Sequence, residues 1–230
     1  MRLFRAALML AFGIAPMMAQ AESPTRPIVV ELFTSQGCSS CPPADALLRG
    51  LVRERADVLA LAFHVTYWDR LGWPDPYALT EATERQRGYT RISHAGTMYT
   101  PQMVVDGTQD LVGSDRRGVQ AALAAARPVA ATQLSLTRDA SGVRIALSAG
   151  QGAGRVLLIG YDPEHRTAVA RGENAGSTLV EANIVRSLEH AATWAGEPLV
   201  LVRPHPAGQR MAVIVQSADG IILAAARDGG

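Results

Sequence analysis

The chain has 230 residues, with 22 arginines and no lysine against 21 acidic residues, for a formal net charge of +1. No basic stripe or run of like charge stands out, which argues against nucleic acid and anionic membrane surfaces as partners. With 48 % hydrophobic residues, the chain is long enough for one large or two small domains, each able to bury a core.

Taken in chain order, Arg2 and Arg5 precede the apolar run 6–14, and Ala19-Gln20-Ala21 has the small-x-small form of a signal-peptidase site. This predicts a secretory signal over 1–21, cut after Ala21, and a periplasmic or secreted mature chain. The apolar segment is short of the roughly 20 residues a membrane span needs, and Pro16 interrupts its end. No later stretch approaches that length, so no stable membrane span is expected after cleavage. Removing Arg2 and Arg5 leaves 20 basic against 21 acidic residues.

A first domain is expected over 22–128. Residues 28–33 form a β-rich run, and 44–55 read as a helix with Ala44, Leu47, Leu48, Leu51 and Val52 on one face. Residues 58–65 form a nearly continuous apolar run, as a buried parallel strand does. The segment 80–92 reads as a helix, mostly polar and therefore on the surface. Segments 102–105 and 109–112 flank Asp106-Gly107, a favoured hairpin turn pair. Ser114 or Asp115 can cap a last helix that runs through Ala126 and ends at Pro128. The order β-α-β-α-β-β-α is the thioredoxin topology.

Beyond Pro128 the pattern changes to short runs separated by turns: 133–137, 143–148, 155–161, 167–171, 199–203, 211–216 and 221–226. Segment 179–194 fits either element and is read as strand. Seven or eight short strands over about 100 residues predict an all-β, sandwich-like second domain over 129–230. The fold class expected is thus an α/β thioredoxin-like domain followed by a β-sandwich.

Cys38-Ser39-Ser40-Cys41 holds the two cysteines of the chain, just after the first strand. Closing so short a loop restrains the unfolded chain by only about 2 kcal/mol, against roughly 3 for fifteen residues, so stability is a weak reason for such a bridge. Redox chemistry is the better one. At the entry to a helix a thiolate is favoured by unpaired N–H groups and the helix dipole. Cys38 would be the exposed nucleophile and Cys41 the resolving thiol, exchanging through a mixed disulfide. Pro42 and Pro43 fit a first turn, which sets Cys38 further from the helix end than usual.

Thr100-Pro101 stands immediately before the third strand, where thioredoxin-like proteins carry a cis-proline against the dithiol. A cis bond there would turn the backbone of Thr100 towards the sulfurs, free to pair with an extended substrate. Glu31 alternates with Val29 and Phe33 and is a candidate buried proton acceptor beneath the dithiol; the alternative is an Arg-paired carboxylate. His64, Tyr67 and Trp68 follow the second strand at its carboxyl end, where α/β proteins place ligands, and Tyr67 and Trp68 are candidate walls of a substrate groove. Alternatively, Trp68 and Trp73 roof the core.

The stretch Val30-Glu31-Leu32-Phe33-Thr34-Ser35-Gln36-Gly37-Cys38-Ser39-Ser40-Cys41-Pro42-Pro43-Ala44-Asp45 resembles the signature of an exported bacterial family, domain of unknown function 1223. Similar to that family too are Phe63-His64-Val65-Thr66-Tyr67-Trp68-Asp69, Thr83-Glu84-Arg85-Gln86-Arg87, Tyr99-Thr100-Pro101-Gln102-Met103-Val104-Val105, Arg171-Gly172-Glu173-Asn174-Ala175-Gly176 and Asn183-Ile184-Val185-Arg186. The resemblance implies a thioredoxin-like fold and an exported location, and it brings no substrate.

The function expected is thiol–disulfide exchange on exported protein thiols, or with a redox partner protein, without a cofactor. Two other readings stay open. One is a non-catalytic exported binding module in which the disulfide is a staple. The other is a periplasmic Cu(I) chaperone using Cys38, Cys41 and Met98, Met103 or His64, because soft sulfur ligands suit that ion. A structural zinc site would need about four ligands, and no second cysteine pair exists.

Overall fold

The structure, a computed structural model, describes residues 26–93, 96–126 and 132–229. The predicted signal over 1–21 and the boundary residue Pro128 lie outside them. In chain order the first half contains β1 (Ile28–Thr34), α1 (Pro42–Glu54), β2 (Val58–His64), a 3₁₀ helix (Thr66–Leu71), α2 (Thr80–Ser93), β3 (Gln102–Val105), β4 (Gln109–Val112) and α3 (Arg116–Ala125). The second half contains β5 (Leu134–Asp139), β6 (Gly142–Leu147), β7 (Gly154–Ala168), β8 (Thr178–Trp194), β9 (Leu199–Arg203), β10 (Arg210–Gln216) and β11 (Ile222–Arg227). The fold is mixed α/β, with one large sheet and one small one. No helix among the described residues is long and apolar enough to cross a membrane.

Local chemistry accounts for most element ends. Pro42 and Pro43 lie in the first turn of α1, where a missing N–H costs nothing. The helix buries Ala44, Leu47, Leu48 and Leu51 against β1 and β2, each large side chain contributing about 1.5–3 kcal/mol. Asp115 caps α3 by accepting the Gly118 N–H at 3.1 Å. In the β3–β4 turn, Asp106 and Gly107 both take positive φ, 52° and 77°. A side chain at Gly107 would run into the Gly220 carbonyl at 1.9 Å. This turn therefore packs against the second half of the chain.

The large sheet runs β11-β10-β7-β8-β2-β1-β3-β4. β1 and β2 are parallel over their whole length, from Ile28 opposite Val58 to Thr34 opposite His64, and β3 joins β1 antiparallel. The sheet then crosses the boundary between the halves, because β8 lies parallel to β2 through the pair Ala62–Ile184. Next to that pair, Asn183 takes φ 49° and its buried side-chain amide donates to the Ala60 carbonyl at 2.8 Å. A local kink, completed by a side-chain hydrogen bond, thus joins the two halves.

Here the expectation of a self-contained β-sandwich over 129–230 needs correction. The small sheet β5-β6-β9 does pack on β7, β10 and β11, burying Val143, Ile145, Val156, Leu158, Trp194 and Met211 between the layers. The larger layer, however, belongs to both halves. The runs expected at 155–161 and 167–171 also differ from the structure: β7 continues to Ala168, and 169–177 form the turn into β8.

A second correction concerns α2, expected to be a polar surface helix. Its buried residues are Ala82, Thr83, Arg85, Gln86 and Tyr89. The polar side chains face the sheet because the sheet offers them buried partners, Glu31 and Gln216, which hydropathy alone cannot reveal.

Candidate active site

Cys38 and Cys41 form a disulfide with Cα atoms 5.4 Å apart. It lies between the end of β1 and α1, held by turn hydrogen bonds from Cys38 N–H to the Ser35 carbonyl and from Cys41 N–H to the Cys38 carbonyl. Cys41 is the N-cap of α1. Cys38 stands three residues earlier, consistent with the effect expected of Pro42 and Pro43. The expected exposure is overturned: both cysteines are 0 % exposed, while Ser39 and Ser40 between them are exposed. Sequence shows the loop but not what covers it.

The Thr100–Pro101 bond is cis. The Thr100 hydroxyl donates to Cys38 Sγ at 3.3 Å and accepts from Trp68 Nε1 at 2.8 Å. The Ser40 hydroxyl lies 3.3 Å from the same sulfur. Trp73, on the other side, donates from Nε1 to Gln36 Oε1 at 3.1 Å. Both tryptophans thus grip the dithiol loop. Tyr67 and Trp68 both pack against the core cluster of Val29, Phe33 and Ala82, and the Tyr67 hydroxyl lies beside the side chains of Gln86 and Thr100.

Glu31 lies on the other face of the sheet. It is buried and paired bidentately with Arg85, one bond being Arg85 Nη2 to Oε2 at 2.8 Å, and it also accepts from the Tyr89 hydroxyl. Burial, helped by the Glu31 charge, holds Tyr89 protonated far above its ordinary range. Of the two readings weighed for Glu31, the Arg-paired carboxylate is the one observed. Strand alternation points it away from α1, so it does not lie beneath the sulfurs.

The acids on the α1 face are others. Asp45, one helical turn beyond Cys41, is buried and accepts from the Thr34 hydroxyl at 2.8 Å. His64, at the end of β2, is 2.7 Å from Asp75 through Nδ1 and 3.7 Å from Glu181 through Nε2. His64 Nε2 and Glu181 Oε1 are buried without hydrogen-bond partners. Gln36, two residues before Cys38, ties this group to the dithiol loop. Its N–H donates to Asp75 at 2.8 Å and its side-chain amide to Glu181 at 2.6 Å.

Electrostatics follow from the count. Three carboxyls around one imidazolium would leave two uncompensated negative charges in a buried space, which favours the protonated forms of Asp45 and Glu181. Burial, reinforced by Glu181, pushes the Asp45 carboxyl up to about 7. Burial also raises Glu181, although the His64 charge opposes it. Burial alone would lower His64, but the facing Asp75 and Glu181 outweigh it and push the imidazole up to about 9. Asp75 is held below its ordinary range despite its burial, by the His64 charge and the N–H groups of Gln36 and Tyr77.

The second half closes the site from above. Asn174, itself buried, donates from Nδ2 to the Gln36 and Cys38 carbonyls at 2.9 and 3.0 Å. Glu173 accepts the Ser39 N–H at 3.0 Å, and the Ser39 side chain together with that N–H keeps its carboxyl below the usual range. Gly172 (φ 79°) lies against Trp73, where a Cβ would come within 3.0 Å of the Trp73 Cβ. Clefts of about 910 Å³ beside β11 and the small sheet, and of about 580 Å³ beside α2, are lined by neither cysteine.

Sequence reasoning thus brought Cys38, Cys41, Thr100, Pro101, Trp68 and His64 to one place, and missed Gln36, Asp45, Asp75 and Glu181; Glu173 and Asn174 belong to the 172–176 loop, whose turn formers mark it in the sequence as a loop able to approach the first half. An acid inside the apolar run Leu179-Val180-Glu181-Ala182 was the available signal for Glu181. As copper ligands, Met103 lies in the core beside Leu32 and Ala44, and His64 is engaged by Asp75. Among the described residues no group of three or more His, Cys, Asp or Glu side chains is arranged to hold a metal ion.

The chain belongs to the family described as protein of unknown function (DUF1223), whose match spans residues 29–216. It is similar to a crystal structure of a protein from Agrobacterium tumefaciens, with 32 % identity, TM-score 0.75, and coverage of 89 % of this chain and 95 % of that one. HBP35 of Porphyromonas gingivalis shares the fold at 10 % identity and TM-score 0.61, over 90 % of this chain and 76 % of that one. No curated protein matches the sequence.

Proposed function

We propose that the chain is an exported, thioredoxin-like protein that exchanges disulfides with protein thiols, those of exported proteins or of a redox partner. The observation that carries this reading is the closed Cys38–Cys41 pair at the entry to α1, with the Thr100 hydroxyl on Cys38 Sγ in the loop before β3. A partner thiolate attacks Cys38 Sγ, the Cys38–Cys41 bond breaks, and its electron pair passes to Cys41 Sγ. In the reverse direction Cys41 attacks the mixed disulfide and releases the partner. Asp45 takes the role expected of Glu31: one turn beyond Cys41, with a pKa of about 7, it can give and take the Cys41 proton near neutral pH. Residues 22–128 carry this chemistry and 129–230 cover it.

The test is a Cys41→Ala variant, which should accumulate mixed disulfides through Cys38. Identifying the trapped proteins names the substrates. If nothing is trapped, by disulfide-bearing cell proteins or by an excess of a peptide supplied in its disulfide form, the exchange reading fails. One observation favours the rival, a binding module with a structural staple: both sulfurs are fully buried. That rival predicts that replacing both cysteines leaves partner binding intact.

A further inference from the structure

The start of a helix leaves its first backbone N–H groups open, and a thiolate placed there draws on them. At the start of α1 none is left open. Pro42 and Pro43 carry no N–H, the Ala44 N–H donates to the Cys41 carbonyl at 2.9 Å, and the Cys41 N–H donates to the Cys38 carbonyl at 3.2 Å. Nearer the sulfur, the Cys38 N–H goes to the Ser35 carbonyl and the Ser39 N–H to Glu173. Cys38 is fully buried, so solvent does not supply the missing donors. Two hydroxyls face Cys38 Sγ instead. Thr100 donates to it at 3.3 Å, and the Ser40 hydroxyl lies at 3.3 Å, the donor of that pair because a disulfide sulfur carries no hydrogen. The Trp68 indole N–H occupies the Thr100 oxygen at 2.8 Å, which leaves the Thr100 hydrogen for the sulfur.

We propose that the Thr100 and Ser40 hydroxyls form a two-donor cradle that holds the Cys38 sulfur as a thiolate, in place of helix N–H groups, with Trp68 positioning Thr100. This rests on the exchange reading and names the groups that receive the charge in that reaction. Once a partner sulfur is bonded to Cys38, the partner's second thiolate attacks that partner sulfur. The partner's disulfide forms, the bond to Cys38 breaks, and its electron pair stays on Cys38 Sγ. Thr100 and Ser40 touch this reacting atom, whereas Trp68 acts through Thr100. The ionisable groups around the loop do not supply the stabilisation. Glu173 binds the Ser39 N–H, Asp75 and Glu181 bind Gln36, and Asp45 binds Thr34. These are carboxyls, which in their charged form oppose a second anion. His64 is engaged by Asp75, and the Tyr67 hydroxyl lies beside Thr100. Among the described residues, the hydrogen bonds to Cys38 Sγ come from the two hydroxyls.

The experiment titrates Cys38 in the full mature chain carrying Cys41→Ala, where it is the sole thiol. Ultraviolet thiolate absorbance is followed against pH, with the cysteine-free protein as blank. In that background Thr100→Val and Ser40→Ala should each move the ionisation midpoint up by about one pH unit, the worth of a hydrogen bond to a charged group. Thr100→Ser, which keeps the hydroxyl, should restore the midpoint, and Trp68→Phe should move it less than Thr100→Val does. An unmoved midpoint in Thr100→Val or in Ser40→Ala overturns the proposal. So does a Thr100→Ser midpoint as high as that of Thr100→Val. Should Thr100→Val fail to fold, Ser40→Ala decides, at an exposed residue. With both cysteines present, at a pH where Cys38 is ionised, Ser40→Ala should move the equilibrium with glutathione about tenfold towards the disulfide, or about 30 mV for a two-electron couple. An unchanged equilibrium also overturns the cradle. The exchange reading falls separately, if Cys38 titrates as expected and the Cys41→Ala chain traps no partner.

Discussion

Glu31 and Asp45 are buried acids on opposite faces of the same sheet, and the two are neutralised in different ways. Glu31 meets a guanidinium fixed by two bonds, and Tyr89 and Gln216 complete the network. Arg85 does not titrate in any accessible range, so that site behaves as a permanent link between α2 and β1. Asp45 shares its space with His64, Asp75 and Glu181, whose single cation is itself titratable and whose polar atoms are not all satisfied. The first arrangement suits structure. The second suits a place where protons come and go, and it lies on the face that carries the disulfide.

Breaking the Glu31 side should have the largest effect. Arg85→Ala leaves a carboxylate buried without its cation, which typically costs about 3–5 kcal/mol. Urea denaturation of the oxidised protein checks this, and a loss below about 1 kcal/mol would mean that the pair is dispensable. The Asp45 side should instead reveal itself through pH. Above pH 6.5 an unfolded His64 is neutral, whereas the folded one keeps its proton up to about 9. The folded state then binds more protons, so stability falls as pH rises across that window, by on the order of 3 kcal/mol in total. Asp45 acts in the same sense at lower pH, holding a proton between 3.8 and about 7 that the unfolded chain has released. A denaturation midpoint that stays flat from pH 6.5 to 9 would contradict the buried imidazolium.

Smaller effects sharpen the contrast. Asp45→Asn should slow thiol exchange at neutral pH by about tenfold or more and remove the break near pH 7 from the rate profile. Glu31→Gln should leave that profile's shape alone while lowering stability. The smallest change is expected for Thr34→Val, which removes the donor to Asp45. It should cost about 1 kcal/mol and move the break to higher pH. An unshifted break would show that the Thr34 bond does not favour the ionised acid.

The legible parts of the molecule are those governed by short-range rules. The hairpin at Asp106-Gly107, the cap at Asp115 and the α1 face of Ala44, Leu47, Leu48 and Leu51 needed only turn chemistry and periodicity. So did the cysteine pair, because its meaning lies in four consecutive residues. The exposure of Cys38, the partner of Glu31 and the setting of α2 were not legible. Each depends on a residue between 54 and 136 positions away: Arg85 for Glu31, Asn174 for the Cys38 carbonyl.

From the chain alone came a β-α-β start with a dithiol at its turn, a later region of strands and the residues able to do chemistry. Tertiary structure decided that the two halves share one sheet and that β8 brings Glu181 to the Asp45 face and the 171–176 turn to the dithiol loop. The physical reason is that periodicity reports which face of an element is buried, whereas pairing of distant strands and buried charges depends on the whole assembled fold.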